Sequence, residues 1–133
     1  LSSSINGETD SAASVCKPNG SYDAIVSLDV FEHISPSHAN EFTARLSSLL
    51  SDYGTYVCGM PSKESQVYAS EGSKIGHVNC LSKTHFKSHL QSHFRNVFIF
   101  GINDETLHTG FGQMCHYLLA LCTCPIRKKN SIE

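Results

Sequence analysis

A surplus of charge is the first thing this 133-residue sequence lacks: 12 acidic and 10 basic side chains leave a formal net charge of -2. So even a balance gives no broad electrostatic pull toward a polynucleotide or an anionic lipid surface, and neither nucleic acid nor membrane is expected as a partner. No apolar run approaches the ~20 residues that span a bilayer. Residues 1–7 carry neither a basic region nor an apolar stretch, so they do not form a signal peptide. There is no internal repeat. Of the six cysteines, Cys58, Cys115 and Cys122 lie inside apolar runs, which argues against a secreted disulfide framework and for reduced thiols in the cytoplasm. Cys122-x-Cys124 has no second pair at zinc-ligand spacing. The chain opens on Leu1 rather than Met, as expected of a processed chain or of a piece of a longer protein.

Hydrophobic residues make up 40% and charged residues 17%, the balance of an ordinary globular chain long enough for one domain. Residues 1–20 are rich in Ser, Asn, Gly and Asp and read as a flexible lead-in. A nearly continuous apolar run over 22–29 predicts a strand buried on both faces, as in a parallel sheet between helices. Ser35 and Pro36 mark a helix start. Apolar residues then recur at helical spacing to Tyr53, and Gly54 is expected to end the helix in a left-handed conformation. Residues 55–60 form a second strand, and a long polar connection over 61–81 comes after it. A helix capped by Ser82 runs to Phe94, a third strand covers 97–100, and a polar loop over 101–112 leads to a last strand over 114–122. The last two strands, with no helix between them, should pair antiparallel. The tail, 125–133, is solvated. His85, His89 and His93 are expected on the exposed side of their helix, beside a buried Phe86/Leu90/Phe94 stripe.

The run Tyr22-Asp-Ala-Ile-Val-Ser-Leu-Asp-Val-Phe-Glu-His-Ile34 resembles the fourth-strand motif of class I S-adenosylmethionine-dependent methyltransferases. The segment Tyr56-Val-Cys-Gly-Met-Pro61 resembles that family's fifth strand, and Ile75-Gly-His-Val-Asn-Cys-Leu-Ser82 resembles its histidine-then-helix segment after that strand. The resemblance implies an α/β chain with the C-terminal half of a Rossmann-like methyltransferase fold over 21–124: strands four to seven, intervening helices, and an antiparallel last strand. It implies S-adenosyl-L-methionine as cofactor and a small-molecule acceptor, methylated at oxygen. The family's Gly-x-Gly-x-Gly turn and its acidic ribose ligand are absent, so the missing N-terminal half of the domain becomes an expected partner and the fragment alone is expected to be inactive.

Ligands of such sheets sit at the carboxyl ends of the strands. The resemblance places Ser27, Leu28 and Asp29 beside the cofactor. His33 and His77 are candidate bases, since imidazole titrates near neutral pH. Asp29-x-x-Glu32-His33 also resembles the Glu-x-x-Glu-His metal motif of ubiquinone-biosynthesis and small-RNA methyltransferases. With His77 as a further ligand, it would hold a divalent metal that acidifies the acceptor hydroxyl. Asp104, Glu105 and His108 are candidate acceptor contacts. The alternative function is a non-catalytic remnant or interaction module that keeps half the fold and binds no cofactor.

Overall fold

The computed structural model describes residues 19–127; the expected lead-in, apart from Asn19 and Gly20, and the tail beyond Arg127 lie outside them. Five strands form one sheet: β1 (Tyr22–Leu28), β2 (Leu50–Pro61), β3 (Phe94–Asn103), β4 (Thr106–His108) and β5 (Tyr117–Pro125), in the order β1-β2-β5-β3-β4. β1 and β2 are parallel, joined by the helix α1 (Pro36–Leu49). β5 enters between β2 and β3 and runs antiparallel to both. β1, β2 and β3 therefore point the same way, and their carboxyl ends share one edge of the sheet. A short α2 (Glu71–Gly76) interrupts the long connection after β2, and α3 (Lys83–Gln91) precedes β3.

The core lies on one face only. Phe31, Leu46, Phe86 and Leu90 from the helical layer pack on Tyr56, Cys58, Met60, Leu118, Ala120 and Cys122 of the sheet. Side chains alternate across a strand, so the next residues along each strand line the opposite face. Register sets Val26 beside Val57, Val57 beside Leu121, and Leu121 beside Phe98. A second row joins Leu28, Gly59, Leu119 and Phe100. No described helix covers these rows, and Val26 is 61% and Phe98 53% exposed. The expectation of a first strand buried on both faces thus holds on the helical face alone.

Several local expectations are corrected. α1 stops at Leu49 because Leu50, fully buried, already pairs with Tyr22; Tyr53 then lies within β2 and is 99% exposed. Gly54 is an interior strand residue and not a left-handed stop: Gly20 is the one described glycine with positive φ. β3 begins at Phe94, because α3 ends at Gln91 and its C-terminal turn is closed by Ser92. The loop after β3 contains β4, which the polar sequence did not signal, and β5 begins at Tyr117 after a 3-10 turn, Gly112–Met114. His89 is not on a solvated face: its Nε2 lies 2.8 Å from the hydroxyl of buried Thr43, and its ring meets Phe31 at 5.1 Å. The short hydroxyl of Thr43 leaves room between α1 and α3 for an imidazole that finds a polar partner there. All five described cysteines are free.

Candidate functional site

The site begins where β1 ends. Asp29 adopts φ 56°, a left-handed conformation that Asp tolerates better than most residues, and its N–H donates to the Gly59 carbonyl at 3.0 Å. This turn ends the strand and starts the 3-10 turn Phe31–His33, whose Phe31 is buried in the core. Phe31 is thus an anchor that holds Glu32 and His33 at the carboxyl edge.

Glu32 is 1% exposed. Its carbonyl accepts from Asn79 N–H at 3.0 Å, which ties the turn to the connection after α2. Its Oε1 is 3.7 Å from His33 Nε2, while Oε2 is buried with no hydrogen-bond partner. Burial pushes the Glu32 carboxyl above its ordinary range; its own backbone N–H and the two nearby histidines oppose that shift. An orphaned carboxylate oxygen in such a place costs about 1–3 kcal/mol unless a cation or donor meets it.

His33 and His77 come together from positions 44 apart in the sequence. Their rings meet edge to face at 5.1 Å. His33 Nδ1 is 2.9 Å from the Gly76 carbonyl, and His77 Nδ1 is 2.9 Å from Gln66 Oε1. Both partners are acceptors, so in the neutral ring each Nδ1 carries the proton and each Nε2 keeps a lone pair. Ligand atoms of Glu32, His33 and His77 lie within 4.8 Å of one another.

The other predicted residues are placed differently. Asp29 does not join that cluster; it faces Tyr117, which hydrogen-bonds it and whose phenol is held above its usual range by burial first and then by the Asp29 carboxylate. Tyr117 reaches Asp29 because position 59 is glycine: a Cβ there would stand 2.6 Å from the Tyr117 hydroxyl. Ser27 turns into the helical layer, 2.7 Å from the Tyr56 hydroxyl, and Leu28 lies on the open face, half exposed. Asp104, Glu105 and His108 belong to the hairpin at the far edge of the sheet. At the usual strand spacing that edge is roughly 19 Å from β1. Tyr117 and Gln66 carry no signal of this role in the sequence. Only the antiparallel register, with Pro61 opposite Tyr117, brings the tyrosine to this edge.

No family model and no curated protein matches the sequence. Solved structures do match. A methyltransferase of Thermotoga maritima that depends on S-adenosylmethionine superimposes with a TM-score of 0.69 at 11% identity, over 86% of this chain and 62% of that one. Another from Archaeoglobus fulgidus gives 0.59 at 14% identity, over 79% and 60%. The 1,6-didemethyltoxoflavin-N1-methyltransferase of Burkholderia thailandensis, solved with its substrate and S-adenosylhomocysteine, gives 0.53 at 15% identity, over 84% and 48%. This chain therefore spans less than two thirds of the length of these proteins. The order of strands, the antiparallel β5 between β2 and β3, and these superpositions agree on one conclusion: the chain has the Rossmann-like fold of S-adenosylmethionine-dependent methyltransferases.

Proposed function

We propose that residues 21–124 are the C-terminal half of a cytoplasmic methyltransferase domain that transfers a methyl group from S-adenosylmethionine to an oxygen of a small molecule. The observation that carries this reading is the Glu32–His33–His77 cluster at the carboxyl edge of a methyltransferase fold. The cofactor, when bound, supplies an electrophilic sulfonium methyl. The chain's own residues offer it one wall, Leu28 and Asp29 at the end of β1, but no glycine-rich cradle, so a further segment has to complete its site.

The histidines suit the acceptor's side of the reaction. A hydroxyl set against a free Nε2 can pass its proton to the imidazole as the new carbon–oxygen bond forms. Gly76 and Gln66 then keep Nδ1–H hydrogen-bonded, which favours the imidazolium that results. His33 is half exposed and available to an acceptor.

A second reading rests on the orphaned Glu32 oxygen. Glu32, with one ring nitrogen from each of His33 and His77, forms a carboxylate–imidazole donor set of the kind that suits a divalent transition metal, with the acceptor hydroxyl in a remaining position. In that case Asp29, held by Tyr117, is not a ligand.

Calorimetry with S-adenosylhomocysteine tests the half-domain reading on these 133 residues and on the longest product of the gene. No heat from the first and micromolar binding by the second is expected. Micromolar binding by the 133 residues alone would falsify the half-domain reading, and no binding by either would favour a non-catalytic remnant. Manganese titration monitored by electron paramagnetic resonance separates the two site readings. Saturable binding abolished by Glu32→Gln supports the metal, and no binding leaves the histidines as bases.

A further inference from the structure

His77 reaches the cluster from a loop whose two ends are pinned together. Lys63 N–H donates to the Leu81 carbonyl at 3.0 Å. Beside that pair stand two buried residues fixed to the rest of the fold. The Ser62 hydroxyl donates to the Cys115 carbonyl, and the Asn79 N–H donates to the Glu32 carbonyl. Between these anchors, residues 63–78 contain no buried residue. Val67, Tyr68, Ile75 and Val78 are each more than half exposed, so the loop keeps its large apolar side chains out of the core. A pinched base under a surface-lying span is the form of an Ω-loop. A segment with so little apolar burial belongs to the low end of local stability.

Inside, the loop is braced. His77 Nδ1 donates to Gln66 Oε1 at 2.9 Å, which joins the end of α2 to the 3-10 turn Glu64–Tyr68. Ser70 caps α2 by accepting from Ser73 N–H. Outward, its ties to the frame are polar or aromatic and lie toward its two ends. The Gly76 carbonyl accepts from His33 Nδ1 at 2.9 Å, and the His77 ring meets that of His33 edge to face. The Tyr68 ring stacks on His116 with centroids 6.2 Å apart. Cross-bracing within and light contacts without favour movement of the whole loop over fraying residue by residue. Glu32 and His33 stand on the other side of this divide, on a turn held by fully buried Phe31.

We infer that residues 64–78 form a lid that opens and closes as one body, and that only its closed form brings His77 to Glu32 and His33. The cluster is then an assembled site, with two groups on the frame and the third arriving with the lid. A ligand that touches all three holds the lid shut, and an open lid never offers it the three together.

Amide hydrogen exchange followed by NMR on the native chain, without any ligand, tests this. The N–H groups of Ala69, Lys74 and His77 each donate to a carbonyl within the loop, so they report its opening. They should share one opening constant and exchange on the order of a hundredfold faster than interior amides of β2 and β5. Two variants at opposite ends then ask whether the loop is one body. His33→Phe keeps a ring and removes the bond to Gly76, and Tyr68→Ala removes the stack on His116. Each lost contact is worth about fivefold in the opening constant. His33→Phe should therefore speed Ala69 as much as Lys74 and His77, and Tyr68→Ala should speed Lys74 and His77 as much as Ala69. Unchanged protection of the sheet amides is the check that each variant folds. Loop amides as slow as those of the sheet, separate opening constants for Ala69 and His77, or a response confined to the neighbours of each substitution would each overturn the inference. No cofactor, metal or acceptor enters the measurement, so its failure is distinguishable from a failure of the methyl-transfer reading.

Discussion

Acidification from pH 7 to 4.5 should loosen the contact between α3 and α1, and His89 sets the size of the effect. Its ring is wedged between Thr43, 2.8 Å from Nε2, and Phe31, with His93 5.5 Å away. Burial, and then the neighbouring His93, lowers its pKa from 6.5 to about 4. The unfolded chain therefore binds a proton that the folded chain refuses between those two values. Stability from His89 is fully present above pH 6.5 and is lost as pH falls toward about 4. The whole gap corresponds to about 3 kcal/mol at 1.36 kcal/mol per pH unit, and residual solvent contact reduces that to about 2 kcal/mol at pH 4.5. Urea unfolding at the two pH values, on the native chain and on His89→Gln, isolates this contribution. Glutamine can keep a hydrogen bond to Thr43 but cannot titrate. Glu32 works in the opposite sense, since a raised carboxyl pKa favours the folded state at low pH, yet it is common to both proteins and cancels. His89→Gln should lose about 2 kcal/mol less on acidification than the native chain. Identical losses would refute the reasoning. The outcome bears on the site, because Phe31, on which His89 rests, precedes Glu32 directly.

Two further predictions concern the sheet. Gly59→Ala places a Cβ 2.6 Å from the Tyr117 hydroxyl and 2.8 Å from Leu28 Cδ2, so tyrosine must leave Asp29. Thermal denaturation should show a loss of about 1–3 kcal/mol, and an unchanged midpoint would mean that Tyr117 does not need its present position. The open rows through Val26, Val57, Leu121 and Phe98, together with β1 at the edge of the described sheet, should make the isolated chain self-associate at micromolar concentrations. Sedimentation velocity on the native chain and on Leu121→Lys checks this: the native chain should sediment as more than a monomer and the variant should shift toward monomer. A native chain that is monomeric throughout would remove the idea.

Much of the fold was legible from short-range pattern. The apolar run after Tyr22, the Ser-Pro helix start at 35–36 and the Ser82 cap each depend on a handful of neighbouring residues, and each appears where local chemistry puts it. The cap is direct, with Ser82 Oγ accepting from His85 N–H. Errors gathered where a distant partner decides. α1 ended early because Leu50 pairs with Tyr22, and His89 turned inward because Thr43, 46 positions away, has a hydroxyl to meet it. Neither partner can be read from the helix periodicity.

The same division holds at the candidate site. Local pattern is enough to show that a strand ends in Asp29, Glu32 and His33, which types of chemistry those side chains can perform, and that no glycine-rich cradle accompanies them. Which of them come together depends on long-range packing. Burying Phe31 fixed Glu32 and His33 at the edge, the connection after β2 folded back to set His77 beside them, and the register of β5 drew Asp29 away to Tyr117. The physical reason is range. Strand and helix propensities act over a few residues, whereas the pairing of β5 with β2 and the meeting of two histidines depend on how the whole chain buries its apolar face.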